Sequence, residues 1–148
     1  MSESAALMRW LQASAAVQRR DWDGAVACLA PDCEWTLVPT GLRLVGTDAI
    51  RSFLQGGMAA GDRAPPEIKA AFGDERSGVF EYVSRGVATA NAGDFTRSFS
   101  ARPGIGPVGF EPSAGDNYEF HVCFLFRLDS AGLIDQVREY FAAPPLAA

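Results

Sequence analysis

The sequence holds little from which a metal centre can be built. It has one histidine, His121, and three cysteines, Cys28, Cys33 and Cys123, with no CxxC spacing. A zinc site draws on four grouped Cys or His ligands, so no metal is expected. The odd cysteine count, in a chain that carries Glu3 early and shows no basic leader, points to free thiols in a reducing cytoplasm and not to a secreted protein. All three cysteines read as small core residues. Basic clusters are missing too. The densest pair is Arg19–Arg20, and the net charge is −5 with a pI near 4.8. The electrostatic footprint of nucleic-acid binding is therefore absent. No apolar run approaches the length of a bilayer span, so no membrane partner is expected. There is no Walker sequence, no GxGxxG and no GxSxG, and the GPVG segment matches no phosphate-cradling loop. Neither a nucleotide cofactor, nor any other cofactor, nor a serine nucleophile is inferred.

What the chain does hold is apolar and aromatic material for a core. Hydrophobic residues make up 48% of 148 residues, charged residues 21%, and there are ten phenylalanines. This suits one domain, residues 1–148, with aromatic side chains able to line a cavity as well as fill a core. Leu7, Trp10, Leu11, Ser14 and Val17 recur at helical spacing and predict a first helix over 4–20. Asp21 then reads as the N-cap of a short second helix carrying Trp22, Ala25, Val26 and Leu29 and ending near Pro31. CEWTLV, 33–38, reads as a strand, with a turn at Thr40–Gly41 and a partner over 42–45. Thr47 reads as the cap of a third helix with Ile50, Phe53 and Leu54 on one side, closed by Gly56–Gly57. A Gly, Ala and Pro-rich loop is expected over 57–66, then strands over 67–72, 78–90, 117–128 and 133–141. Strands segregate from helices and follow one another through turns, which favours an α+β domain with a curved antiparallel sheet. Residues 91–116, rich in glycine and proline, read as a long inserted loop. Either it is disordered or it packs over a cavity mouth, since Phe95, Phe99 and Phe110 would be costly to expose.

Three segments carry a family resemblance: DWDGAVACLAPDCEW, LVGTDAIRSFL and FLFRLDSAGLIDQVREYF. They resemble the nuclear transport factor 2-like superfamily and its SnoaL-like branch, over nearly the whole chain apart from 91–116. The resemblance implies a curved sheet wrapped round three helices as a conical barrel with an internal pocket. Members include polyketide cyclases, limonene epoxide hydrolases, ketosteroid isomerases, dehydratases and non-catalytic modules, so the fold alone does not name an activity. Members of the fold often pair through the outer sheet face, so a homodimer is expected.

Strand alternation, placed by that resemblance, assigns pocket-facing residues: Trp35 and Leu37; Phe80, Tyr82 and Ser84; Tyr118, Phe120, Val122 and Phe124; and Val137, Glu139 and Phe141. A one-residue slip would present Glu81, Arg85, Glu119 and His121 instead. Glu139, in its REYF context, is the leading acid–base candidate, because a carboxyl among aromatic residues is desolvated and stays protonated nearer neutrality. An arginine partner or an exposed face would make it merely structural. Tyr82 is the candidate hydrogen-bond donor. His121 is the reserve acid–base group should the register slip, and otherwise a surface histidine. Trp35, Leu37, Phe80, Ser84, Tyr118, Phe120, Phe124 and Val137 are the candidate substrate-binding set. Arg97 and Arg102 in the 91–116 segment are candidates for capturing an acidic ligand, or solvated loop arginines. Compared with the epoxide hydrolases, this chain has Tyr82 and Ser84 where an arginine and second carboxylate would stand, and Trp35 and Leu37 where the water-holding tyrosine and asparagine would stand. Compared with the isomerases, Val38 replaces the base and Phe124 the oxyanion aspartate. The expected function is cofactor-independent acid–base chemistry on a small apolar oxygenated molecule. The alternative is a binding or interaction module without turnover, since an apolar pocket with few polar groups binds without catalysing.

Overall fold

The computed structural model describes residues 4–100 and 112–142. The elements run α1 (Ala5–Gln18), α2 (Trp22–Val26), β1 (Leu29–Leu37), β2 (Leu42–Val45), α3 (Thr47–Ala59), β3 (Gly61–Arg63), β4 (Glu67–Gly73), β5 (Ser77–Ala88), α4 (Ala92–Ser100), β6 (Asn117–Leu128) and β7 (Ile134–Ala142). A single curved, unclosed sheet has the order β2-β1-β7-β6-β5-β3, with β4 also paired to β5. The α+β cone expected from the sequence is what forms.

Local chemistry explains the helix starts. The Ser4 hydroxyl accepts from the Leu7 amide and the Asp21 carboxylate from the Gly24 amide, each satisfying one orphan donor of a first turn. Thr47 does not cap α3. It is the first helical residue, and Gly46 precedes it at φ 89°, a conformation open to glycine and strained for other residues. The second helix stops at Val26, and β1 begins at Leu29, earlier than the CEWTLV run suggested. A register shift between Leu29 and Glu34 absorbs the Pro31–Asp32 irregularity.

Two glycine-rich stretches fold further than their composition indicates. Gly56–Gly57 does not end α3, which runs on to Ala59. The glycines make room for a neighbouring ring: a Cβ on Gly56 would lie 2.9 Å from the Phe95 ring. That ring belongs to α4, a fourth helix within the segment expected to be a loop, and it packs against Phe53 with ring centroids 5.5 Å apart. Phe95 is half-buried against the core, in keeping with the expectation that it would not stand exposed; the Phe99 side chain, Phe110 and Arg102 lie outside the described residues. Residues 61–63, expected as loop, form β3 against β5.

The pairings β1·β2, β3·β5, β4·β5, β5·β6 and β6·β7 are antiparallel. The β1·β7 pair is parallel, so the sheet is mixed where the sequence suggested a wholly antiparallel one. Sequence order gives no sign of this pairing, which joins strands about a hundred residues apart. The core lies between the concave sheet face and α1 and α3. Trp10 of α1 stacks on Phe126 at 4.5 Å and meets Phe124 at 4.7 Å, while Leu37, Ile50, Ile134 and Val137 are wholly buried.

Candidate active site

The concave sheet face and the helices enclose a cavity of about 430 Å³. The long strands set its walls by alternation. Phe80, Tyr82 and Ser84 of β5, and Tyr118, Phe120, Val122 and Phe124 of β6, all line it. Trp35 of β1 and Glu139 and Phe141 of β7 complete the sheet side, and Trp10, Phe53 and Phe95 face them from the helices. The register is therefore the one that places these side chains inward. Phe80↔Phe124, Tyr82↔Val122 and Phe124↔Glu139 are direct cross-strand partners, which keeps the inward set in phase across three strands.

Leu37 and Val137 point the same way but are core residues, not cavity walls. Both are wholly buried and neither is among the lining side chains. His121 is not brought to the cavity. It pairs with Val83 across β5·β6, stands exposed on the outer face and meets Glu119 at 3.3 Å. The Glu81, Arg85, Glu119 and His121 set is outward, tied into a strip where Arg85 bridges Glu67 and Glu119 at 2.8 and 2.6 Å. Arg97 is also exposed, pairs with Asp94 within α4 and is not among the residues that line the cavity.

Glu139 is the only carboxylate among the described lining residues. Its position follows from β7, which sits between β1 and β6, so that Leu37 and Phe124 flank it on either side. The Trp35 indole Nε1–H donates to Glu139 Oε1 at 3.1 Å. Burial pushes the Glu139 carboxyl up from 4.5 to about 7; the Trp35 hydrogen bond and the charge of Arg63 oppose that rise without cancelling it. The cavity wall thus holds a carboxyl that exchanges a proton at neutral pH.

The Tyr82 hydroxyl is likewise pushed up to about 12, by burial first, with the nearby Arg63 charge opposing and the Glu139 charge adding. It is a hydrogen-bond donor that stays protonated, not a base. Arg63 was not foreseen. It lies in the 57–66 stretch, where glycine and proline hide any period, and only the β3·β5 pairing reveals that its guanidinium reaches the cavity. It is the only cation among the described lining residues. An arginine therefore reaches the cavity from β3 and not from position 82, and no second carboxylate lines it among the described residues.

Trp10 Nε1 and the Tyr118 hydroxyl are buried without a hydrogen-bond partner, and both belong to lining residues. The cysteines do not take part: burial, with lesser help from Asp135, Asp32 and Glu34, pushes the Cys33 thiol up to about 12, far from a reactive thiolate. Among the described residues no group of three His, Cys, Asp or Glu side chains is placed to hold a metal ion. No helix among them is long and apolar enough to cross a membrane.

The sequence profile of the SnoaL-like domain matches residues 9–137. The chain belongs to the SnoaL-like domain family. Solved structures share its fold. A proposed polyketide cyclase from Xanthomonas campestris pv. campestris is 24% identical with a TM-score of 0.64, over 92% of this chain and 89% of its own. Protein Rv0760c of Mycobacterium tuberculosis, solved with estradiol-17β-hemisuccinate, is 19% identical with a TM-score of 0.64, over 93% of each chain. An LEH-like epoxide hydrolase of M. tuberculosis is 18% identical with a TM-score of 0.62, over 93% of this chain and 82% of its own. At these identities the likeness is one of fold. No curated protein matches the chain.

Proposed function

We propose that this SnoaL-like protein is a cofactor-independent acid–base enzyme acting on a small apolar molecule that carries an oxygen function, by proton-transfer chemistry of the cyclase, isomerase or dehydratase kind. The observation that carries this reading is Glu139: a lone carboxyl on an aromatic wall, held by the Trp35 indole and raised to about 7. Near neutrality such a group is divided between its two forms, so it can give or take a proton with little loss either way. Tyr82 serves as a hydrogen-bond donor to a ligand oxygen, while Phe80, Phe120 and Phe124 exclude water and fit an apolar body. Ser84, Trp35 and Tyr118 complete the binding wall. Epoxide opening is disfavoured within this reading, since among the described residues no second carboxylate shares the cavity to activate water. The related fold solved with a steroid ester supports an apolar ligand of that size class.

A binding module without turnover is the second reading, favoured by that same lone carboxylate. Glu139→Gln separates the two. For the enzyme, turnover of a ligand found by thermal shift falls by about 10²–10⁴-fold; for the module, no turnover of any bound ligand is seen in wild type. The protein is proposed to act in the cytoplasm. It is proposed to pair as a homodimer through the outer sheet face, where Ile68, Phe72 and Tyr140 are exposed beside the charged strip; a monomeric mass on sedimentation would count against the pairing.

A further inference from the structure

Thr40, Ser84 and Thr96 are the buried polar residues among those described. Their hydroxyls differ in what they meet. Thr40 is satisfied by its own turn: it donates to the Leu37 carbonyl at 3.4 Å and accepts from the Leu42 amide at 3.3 Å. Ser84 and Thr96, only 6% and 3% exposed, have no hydrogen-bond partner for their hydroxyls among the described residues. Both line the cavity. A buried hydroxyl left without a partner is costly, and native folds keep few of them. Thr96 is the more telling of the two, because a threonine within a helix can bond back to a carbonyl of the preceding turn. Ser98, exposed on the same helix, does so, donating to the Phe95 carbonyl at 2.6 Å. Thr96 does not.

The fold brings both hydroxyls to one end of the cavity. Tyr82, Ser84, Gly86 and Ala88 follow one another on the inward face of β5. Ala88 packs with Ala92 and Tyr118, and Thr96 stands four residues beyond Ala92, one turn further along the same buried face of α4. Phe120, the cross-strand partner of Ser84, packs against that cluster too. The Tyr118 hydroxyl is close by but shut off: a Cβ on Gly61 or Gly86 would lie 2.5 or 2.6 Å from it. Glu139 belongs to the other end. Through Phe124 it is level with Phe80, four residues, or roughly 13 Å, along the strand from Ser84. The cavity thus has a carboxyl at one end, an aromatic middle and a pair of hydroxyls at the other.

We propose that Ser84 and Thr96 form a second polar subsite, beneath α4, so that the molecules the cavity takes are elongated apolar compounds with an oxygen function at each end: diols, hydroxy ketones or diketones. This rests on the acid–base reading of Glu139 for the end that reacts, and it narrows the substrate class. A hydroxyl both donates and accepts, so the pair suits a ligand hydroxyl or carbonyl, and it carries no charge of its own with which to hold an anion. A site built to hydrogen-bond a ligand oxygen discriminates against the analogue without one, because its own polar groups then stay unpaired. Through Thr96, α4 is a specificity element as well as a cover.

The test uses three rigid rods of one shape, titrated on the whole protein by equilibrium dialysis: 4,4′-dihydroxybiphenyl with a hydroxyl at each end, 4-hydroxybiphenyl with one, and biphenyl with none. Wild type should bind the diol about tenfold more tightly than the mono-ol, as expected for one or two neutral hydrogen bonds. In the double variant Ser84→Ala/Thr96→Val the diol should bind no better than the mono-ol, while biphenyl affinity stays as in wild type. Thr96→Ser, which keeps the hydroxyl, should keep most of the diol advantage that Thr96→Val loses. The urea midpoint of the double variant should be unchanged or raised, because near-isosteric apolar side chains remove two unmet hydroxyls. An equal diol advantage in wild type and double variant, or none in wild type, would overturn the proposal. So would a lowered urea midpoint with equal loss of biphenyl binding, which would show that the hydroxyls support α4 and not a ligand. The Glu139 reading is judged separately, by turnover in Glu139→Gln. Lost turnover there, with a diol advantage indifferent to Ser84 and Thr96, removes this inference alone. Retained turnover, with a diol advantage that needs both hydroxyls, removes the parent reading alone.

Discussion

Replacing Glu139 by glutamine should stabilise the protein, and only above about pH 5. The side chain titrates at about 7 in the fold, against an ordinary 4.5. The folded state therefore holds a proton that the unfolded chain has released throughout that interval. Where the native state binds more protons, stability falls as pH rises. The stability given by the neutral carboxyl is fully present below pH 4.5 and is lost progressively as pH passes through about 7. Each tenfold change in proton affinity is worth about 1.4 kcal/mol, so the full loss is about 3 kcal/mol. Glutamine has nearly the same shape, can still accept from the Trp35 indole and never ionises. The difference in unfolding free energy, Glu139→Gln minus wild type, should be near zero at about pH 4, rise between pH 5 and 7, and level off at about +3 kcal/mol by pH 8. Urea unfolding of both proteins at five pH values measures it, and every other titrating group cancels in the difference. A difference that stays flat with pH, or that falls, would refute the claim that burial governs this carboxyl. The same variant should lose activity, which would show directly that function is held here at a cost in stability.

Further outcomes follow from the same geometry. Trp35→Phe keeps an aromatic ring on the wall but removes the N–H donated to Glu139. Because that bond opposes the upward shift, the carboxyl should titrate about one pH unit higher, read from the alkaline movement of the Glu139-dependent step in the stability difference. Leu37→Ala should cost about 2–5 kcal/mol in urea unfolding, as for other wholly buried leucines. It should leave the affinity of cavity ligands close to wild type, because Leu37 supports the wall from behind and does not form it. Gly86→Ala should be destabilising by about 2 kcal/mol or more, since the new Cβ would stand 2.3 Å from the Asp62 carbonyl and 2.6 Å from the Tyr118 hydroxyl.

Much of the fold could be read from the chain because its strongest signals are local. The alternation of β5, β6 and β7 is long enough to fix which side chains of one strand share a face, and the family resemblance, not the alternation, is what sets Glu139, Tyr82 and Phe124 on one wall. His121 is outward on that same register, and only a one-residue slip would have turned it inward. What could not be read depends on partners far apart in sequence. Arg63 sits in a three-residue strand whose existence depends on pairing with β5. Its flanking glycine and prolines give no period. The α4 helix was hidden for a similar reason: Phe95 is helical because Gly56–Gly57 leaves a berth for its ring on α3, and neither segment announces the other. Leu37 and Val137 obeyed the alternation rule, yet ended behind the wall. Phase tells direction, not depth, and depth is set by how Ile50 and the helices close over the sheet.

The parallel pairing of β1 with β7 has a consequence for how the protein is made. Among the described strands β7 is synthesised after all the others, yet its place is between β1 and β6. Until it arrives, the β1–β2 hairpin and the β5–β6 pair each present a bare edge, of the kind that invites association with other chains. The contacts that close the gap span most of the chain, which makes them slow to form. The proton-carrying carboxyl is on that strand, as is half of its anchorage to Trp35. The other strands can therefore be in place before the cavity is: its wall at Glu139 and the closure of the sheet are completed by the same late event.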